Sequence, residues 1–131
     1  MIKFLSKYKF IFYLVNACLI ILYLFPGSIL GFFIYGDLQI QPQITADFIV
    51  STNHVYAFFL VSLLGILSFK NSKKLNILII YLLSLSIILE IFHLVIPERS
   101  FELPDLFGNL IGVIIVIIIN YFYKKYERFK N

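Results

Sequence analysis

The 131 residues include no tryptophan, one cysteine and four prolines, and only 14% of them are charged. Each scarcity excludes something. A lone Cys18 rules out an internal disulfide and any cysteine-based metal cluster. Scarce charge, with 61% apolar residues and a mean hydropathy of +0.96, sits badly with a soluble domain, where apolar residues make up about half. Several catalytic signatures are also missing: H-E-x-x-H, G-x-S-x-G, a P-loop, and the P-S-G-H of lipid phosphatases. The net charge of +4 does not indicate a nucleic-acid partner, because the basic residues flank apolar runs and form no surface run. The expected partner is the lipid bilayer.

What is present is a set of four apolar runs at about 8–25, 48–69, 75–96 and 105–123. Each is near the ~20 residues that cross a bilayer as a helix. Helices satisfy their own backbone in lipid, and these runs lack the alternation of a membrane barrel. The expectation is one domain over 1–131: an all-α, integral membrane four-helix bundle. Lys3, Lys7 and Lys9 ahead of the first run mimic a signal peptide. The run is long and no small-x-small site follows it, so a retained signal anchor is expected. Pro26-Gly27 breaks or kinks the first span. Ser28–Tyr35 either continues it at a tilt or lies at the interface. Gly36–Asp47, with Gln39, Gln41, Pro42 and Gln43, reads as a loop.

Basic residues set an orientation. Lys3, Lys7 and Lys9, then Lys70, Lys73 and Lys74, then Lys124, Lys125, Arg128 and Lys130 fall at alternate ends of the four spans. All therefore share one side, which the positive-inside bias makes cytoplasmic, along with both termini. Arg99 alone is opposite, with Asp37, Asp47, Glu98, Glu102 and Asp105. Tyr121, Tyr123 and Tyr126 read as a cytoplasmic aromatic belt. Tyr13, Asn16 and Tyr23 read as packing or interface residues.

This topology gathers polar residues at the outer face. His54 is near the outer end of span two, Glu90 and His93 near that of span three, and Arg99 is in the outer loop. Asp105 and Asn109 open span four. Ser86, Glu90 and His93 share one helix face, as do Asp105, Asn109 and Gly112. Gly108 and Gly112 make a small-xxx-small pair that admits a close neighbouring helix. Glu90 lies roughly 10 Å below Pro97. A charge there costs ~2.5–3.5 kcal/mol at mid-membrane, so it should face the bundle and pair with Arg99 or His93. Asp105 reads equally as a cap on span four. Glu90-x-x-His93 is half of a carboxylate di-metal motif, and with His54 and Asp105 nearby a zinc-like site is an alternative reading; with a single half present, no metal or other cofactor is expected.

The order His54, Glu90-x-x-His93, Pro97-x-Arg99, Asp105 and Asn109-x-x-Gly112 resembles the VanZ-like family of small membrane proteins. That family carries an early histidine, then E-x-x-Q, P-x-R, D and N-x-x-G across a helix–loop–helix. The resemblance runs from roughly Thr52 to Ile119. His93 stands where the family has glutamine, and Val116 where a glycine is common. The family's namesake is linked to low-level teicoplanin resistance. The resemblance therefore implies a multi-pass protein of the bacterial plasma (inner) membrane, acting in the cell envelope.

On this reading His54, Glu90, His93, Arg99, Asp105 and Asn109 form a ligand-binding site near the outer leaflet. Its expected ligand is a lipid-linked envelope intermediate or a glycopeptide-type antibiotic. The alternatives are a membrane enzyme acting on a lipid-linked phosphate, with His93 or Glu90 as acid/base, and a small transporter or partner subunit. Four spans would serve transport only as a homo-oligomer or beside an envelope partner protein.

Overall fold

A computed structural model describes residues 2–131, with side chains from residue 8 onward. Among the described residues it is all-helical, with five helices and no strands: α1 Ile2–Leu24, α2 Ile29–Tyr35, α3 Thr52–Phe69, α4 Leu75–Phe92 and α5 Leu103–Lys130. Three of these, α3, α4 and α5, are long and apolar enough to cross a membrane, and a fourth span is reached if α1 and α2 count as one broken span.

The break between α1 and α2 follows from Pro26 and Gly27. Proline cannot extend a helix, and Gly27 adopts φ +92°, a backbone geometry that side chains disfavour. Ser28 then caps α2 by accepting from Gly31 N at 2.9 Å. The two axes diverge by 83°, so 28–35 does not continue the first span in a straight line. The chain after α2 folds back over it: Leu38 O accepts from Ser28 N at 2.6 Å, and a Cβ on Gly31 would collide with the carbonyl of Ile40.

Several boundaries differ from the sequence expectation, three of them for a clear local reason. α3 starts at Thr52 rather than Phe48 because Asp47 takes the free helix-end donor, accepting from Thr52 N at 2.9 Å. A carboxylate there also meets the positive helix end. α4 ends at Phe92; tight bonds from His93 N to Glu90 O and from Leu94 N to Ile91 O wind its last residues into turns before Pro97. α5 continues through Lys124 and Lys125 to Lys130. Charge ends an apolar run without ending a helix, and basic residues suit a helix C-terminus.

α3 lies at the centre, packed on α1, α4 and α5. Phe58, Val61, Leu82, Val113 and Val116 are buried where these helices meet, while large apolar side chains such as Phe33, Phe48, Ile77 and Ile118 point outward. Phe12 and Leu78 close on Gly65 across α1, α3 and α4. The α3–α5 seam is tighter still: a Cβ on Gly112 would lie 2.6 Å from Val55 O, and one on Gly108 2.7 Å from Ser51 O. The small-xxx-small pair therefore faces α3.

The helix ends sort by charge. Lys9 Nζ stands 5.1 Å from the Phe69 ring centroid, and Lys70 and Lys124 border one small cleft. The opposite end gathers the last turn of α1, the first of α3, the last of α4 and the first of α5.

Candidate functional site

At that opposite end, four helices contribute polar groups to one buried network. Glu90 and Asn109 are 0% exposed, His93 3% and His54 7%. Periodicity explains the inward aim: Ser86, Glu90 and His93 follow the buried stripe of Leu82, Leu85 and Leu89, and Asn109 precedes Val113 and Val116.

The centre of the network is Tyr23, in the last turn of α1. Its hydroxyl donates to Asn109 Oδ1 at 2.7 Å and lies 3.1 Å from His54 Nδ1. Its carbonyl meets His93 Nε2 at 2.9 Å, and the two rings stack with an interplanar angle of 18°. Treating Tyr23 as mere packing is therefore corrected. The signal in the sequence was its position: a tyrosine in the last turn of span one falls at the end where the other polar groups collect. Tyr13 and Asn16 do pack, Tyr13 edge-on to Phe69 and Asn16 by donating to Tyr81 Oη at 2.7 Å.

Asn109 is held by its amide, which donates to Ser86 O at 3.1 Å. Its Oδ1 is thereby turned to His54 Nδ1, 3.0 Å away. His54 Nε2 points the other way, to Asp105 Oδ2 at 3.5 Å. Glu90 Oε1 accepts from Glu102 N at 3.1 Å, tying the end of α4 to the start of α5. Glu90 Oε2 lies 3.3 Å from His93 Nδ1, too far off line for a hydrogen bond, and is left without a hydrogen-bond partner.

Arg99 does something else. Among the described residues it forms no ion pair with Glu90; His93 occupies that place. Its Nη2 donates to Leu22 O at 2.8 Å and its Nε to Phe25 O at 3.1 Å. These carbonyls are the unpaired acceptors at the C-terminal end of α1, where positive charge is favoured. Burial lowers the Arg99 pKa from its ordinary value, while Tyr23, Glu90 and Asp105 raise it by their charge. Asp105 sits in the first turn of α5, but Glu102 is the N-cap residue, and the Asp105 carboxylate is spent towards His54.

Beside this network is a cavity of about 450 Å³. α1, α2, the 41–44 segment and α3 wall it, chiefly with Leu19, Leu22, Ile34, Ile44, Ala57 and Leu60. Tyr23, His54, His93 and Arg99 bring the polar network to its wall, and Ser28, Gln41, Asn53 and Tyr56 add polar groups elsewhere on it. The 41–44 segment is pinned by Asn53, which donates to Pro42 O at 2.6 Å and accepts from Ile44 N at 3.1 Å. The arrangement suits an amphiphile, with an apolar chain on one side and donors for a polar head on the other.

Removing the central hydroxyl should cost a measurable amount. Tyr23→Phe keeps the stack on His93 but leaves His54 and Asn109 one partner short. A loss of about 1 kcal/mol is expected, read by thermal unfolding in detergent; an unchanged midpoint would take Tyr23 out of the network.

Compared with protein-family models, curated proteins and solved structures, the chain matches none.

Proposed function

We propose that this chain is a multi-pass membrane protein that binds a lipid-linked intermediate of the bacterial cell envelope. The apolar chain of the ligand occupies the cavity between α1, α2 and α3, and its anionic head meets Arg99, beside the His54 and His93 rings that border the same cavity. The observation that carries this reading is the cavity itself, apolar along most of its wall and closed at one end by donors. Its volume of about 450 Å³ is that of a small-molecule site, which favours a lipid chain with a compact head over a whole glycopeptide.

The membrane placement rests on three to four apolar helices and on the separation of charge between their ends. The basic end is cytoplasmic by the positive-inside bias, so both termini lie there and the cavity opens at the outer leaflet. The four spans, counting α1 with α2 as one, form the bundle. The VanZ-like assignment rests on the order His54, Glu90, Arg99, Asp105, Asn109 and Gly112. His54, Glu90, Asp105 and Asn109 share one network, which supports reading the pattern as a unit.

Ala57→Trp places a large ring in the cavity and removes none of its polar side chains. In native mass spectrometry of gently extracted protein, the wild type is expected to carry one anionic lipid and the variant about a tenth as much or less. Equal lipid on both would refute the reading.

A further inference from the structure

We infer that His54, Glu90 and Asp105 form a binding site for one divalent transition-type cation, with zinc the best fit, where α3, α4 and α5 meet. Each residue presents one ligand atom, and the three atoms all lie within 4.8 Å of one another. Of the three ligands only His54 also borders the cavity, and neither Arg99 nor a bound lipid enters the argument, so the inference does not rest on the lipid reading.

Glu90 supplies the second observation. It is fully buried, and its Oε2 has no hydrogen-bond partner, with His93 Nδ1 beside it at 3.3 Å. A carboxylate oxygen withdrawn from water without a hydrogen bond is in a costly state that a coordinated cation relieves.

The tautomer of His54 supplies the third. Ser86 O can only accept, so Asn109 turns its Nδ2 there and its Oδ1 to His54. Oδ1 also only accepts, and the Tyr23 hydroxyl near Nδ1 spends its proton on Oδ1, so the tautomer that fits this geometry carries the His54 proton on Nδ1. The Nε2 lone pair then faces Asp105 Oδ2 at 3.5 Å, acceptor against acceptor. A metal-ligating imidazole is held this way, its far nitrogen fixed by a second residue. Tyr23 braces the same contact from above by donating to Asn109 Oδ1.

Tetrahedral bonds of about 2.1 Å place ligand atoms roughly 3.4 Å apart, close to the His54–Asp105 separation of 3.5 Å; the rest of the set lies within 4.8 Å and closes on the ion by side-chain rotation. One imidazole with two carboxylates suits zinc, manganese or iron(II) better than calcium or magnesium, which prefer oxygen throughout. Three protein ligands leave a fourth position for water or an anionic group. The pairing differs from the E-x-x-H half-motif in the sequence: His93 turns its Nε2 to Tyr23 O, and the histidine ligand comes from α3.

Purified protein in detergent, stripped with chelator, would be titrated with Zn²⁺ alone and desalted, with metal counted by elemental mass spectrometry. Co²⁺ absorption would report coordination separately. One equivalent is expected to remain on the wild type. Asp105→Asn, a near-isosteric change at a partly buried position (side chain 20% exposed), is expected to lower affinity at least tenfold. Asn109→Ala, which removes no ligand, is expected to weaken it ~10–100-fold through loss of His54 orientation. Helicity and a single elution peak establish that each variant is folded. No retained metal, retention unaffected by Asp105→Asn, or retention of Mg²⁺ or Ca²⁺ in preference to Zn²⁺ would each overturn the assignment. If Asn109→Ala fails to fold, Asp105→Asn with the Co²⁺ spectrum still decides.

Discussion

Glu90→Ala is expected to lower unfolding stability by about 2–5 kcal/mol, the range for truncating a large side chain at a fully buried position. Three consequences add up. His93 Nδ1 loses the carboxylate 3.3 Å away. Glu102 N loses its acceptor at 3.1 Å, and with it goes the tie between the end of α4 and the start of α5. The vacated volume lies in a fully buried position that cannot collapse freely. Glu90→Gln separates fold from function, because its amide oxygen still accepts from Glu102 N. Its stability loss should be only about 1 kcal/mol, while metal retention falls. Thermal unfolding of both variants in one detergent checks this, and equal losses for alanine and glutamine would contradict the bond to Glu102.

A comparable effect is expected from Gly112→Leu, for a different reason. At this position the obstructing atoms are backbone: Val55 O at 2.6 Å and Phe59 N at 2.8 Å from where a Cβ would sit. Backbone inside a helix cannot swing aside as a side-chain tip can. Overpacking costs about 1–3 kcal/mol for added methylenes, and Gly112→Ala should fall in that range. Leucine adds three further carbons to a seam already closed, so α3 and α5 must part. Since Asn109 lies one turn before Gly112, the polar network opens with the seam. Size-exclusion chromatography should show the alanine variant as a single species and the leucine variant aggregated. A leucine variant as stable as the wild type would mean that α3 and α5 do not pack as described.

How far the sequence reached depends on the kind of information each feature carries. The helices were legible because lipid demands long apolar runs with an internally bonded backbone. The gathering of His54, Glu90, Asp105 and Asn109 was legible too, since alternate span ends must share a side and helical spacing aims each residue inward. What periodicity cannot give is the partner of a long side chain. Glu90 was expected to meet Arg99 or His93; His93 is the one beside it, while the fork of donors on Arg99 finds the open carbonyls of Leu22 and Phe25. Those acceptors exist only because Pro26 ends α1, and a helix end has no side-chain signature of its own.

Tyr23 was missed for a related reason. Tyrosine is common at membrane interfaces, so its type alone does not mark a site, and its contacts run to residues 31 and 86 positions away. The sharp turn into α2 was open in the sequence because Pro26-Gly27 allows either a kink or a break. What decides it is the return of the chain, with Leu38 and Ile40 laid across Ser28 and Gly31. That same return builds one wall of the cavity, so the cavity could not be read before the fold.

The central claim is that the cavity bordered by Tyr23, His54, His93 and Arg99 holds the chain of an anionic lipid. Photolabelling tests it most directly, using a lipid-linked phosphate with a diazirine on its chain, followed by peptide mapping. Label is expected on Ile34, Ile44 and Leu60, and it should be lost in the Ala57→Trp variant. Label spread over outward residues such as Ile77 and Ile118, and unchanged in that variant, would contradict the claim.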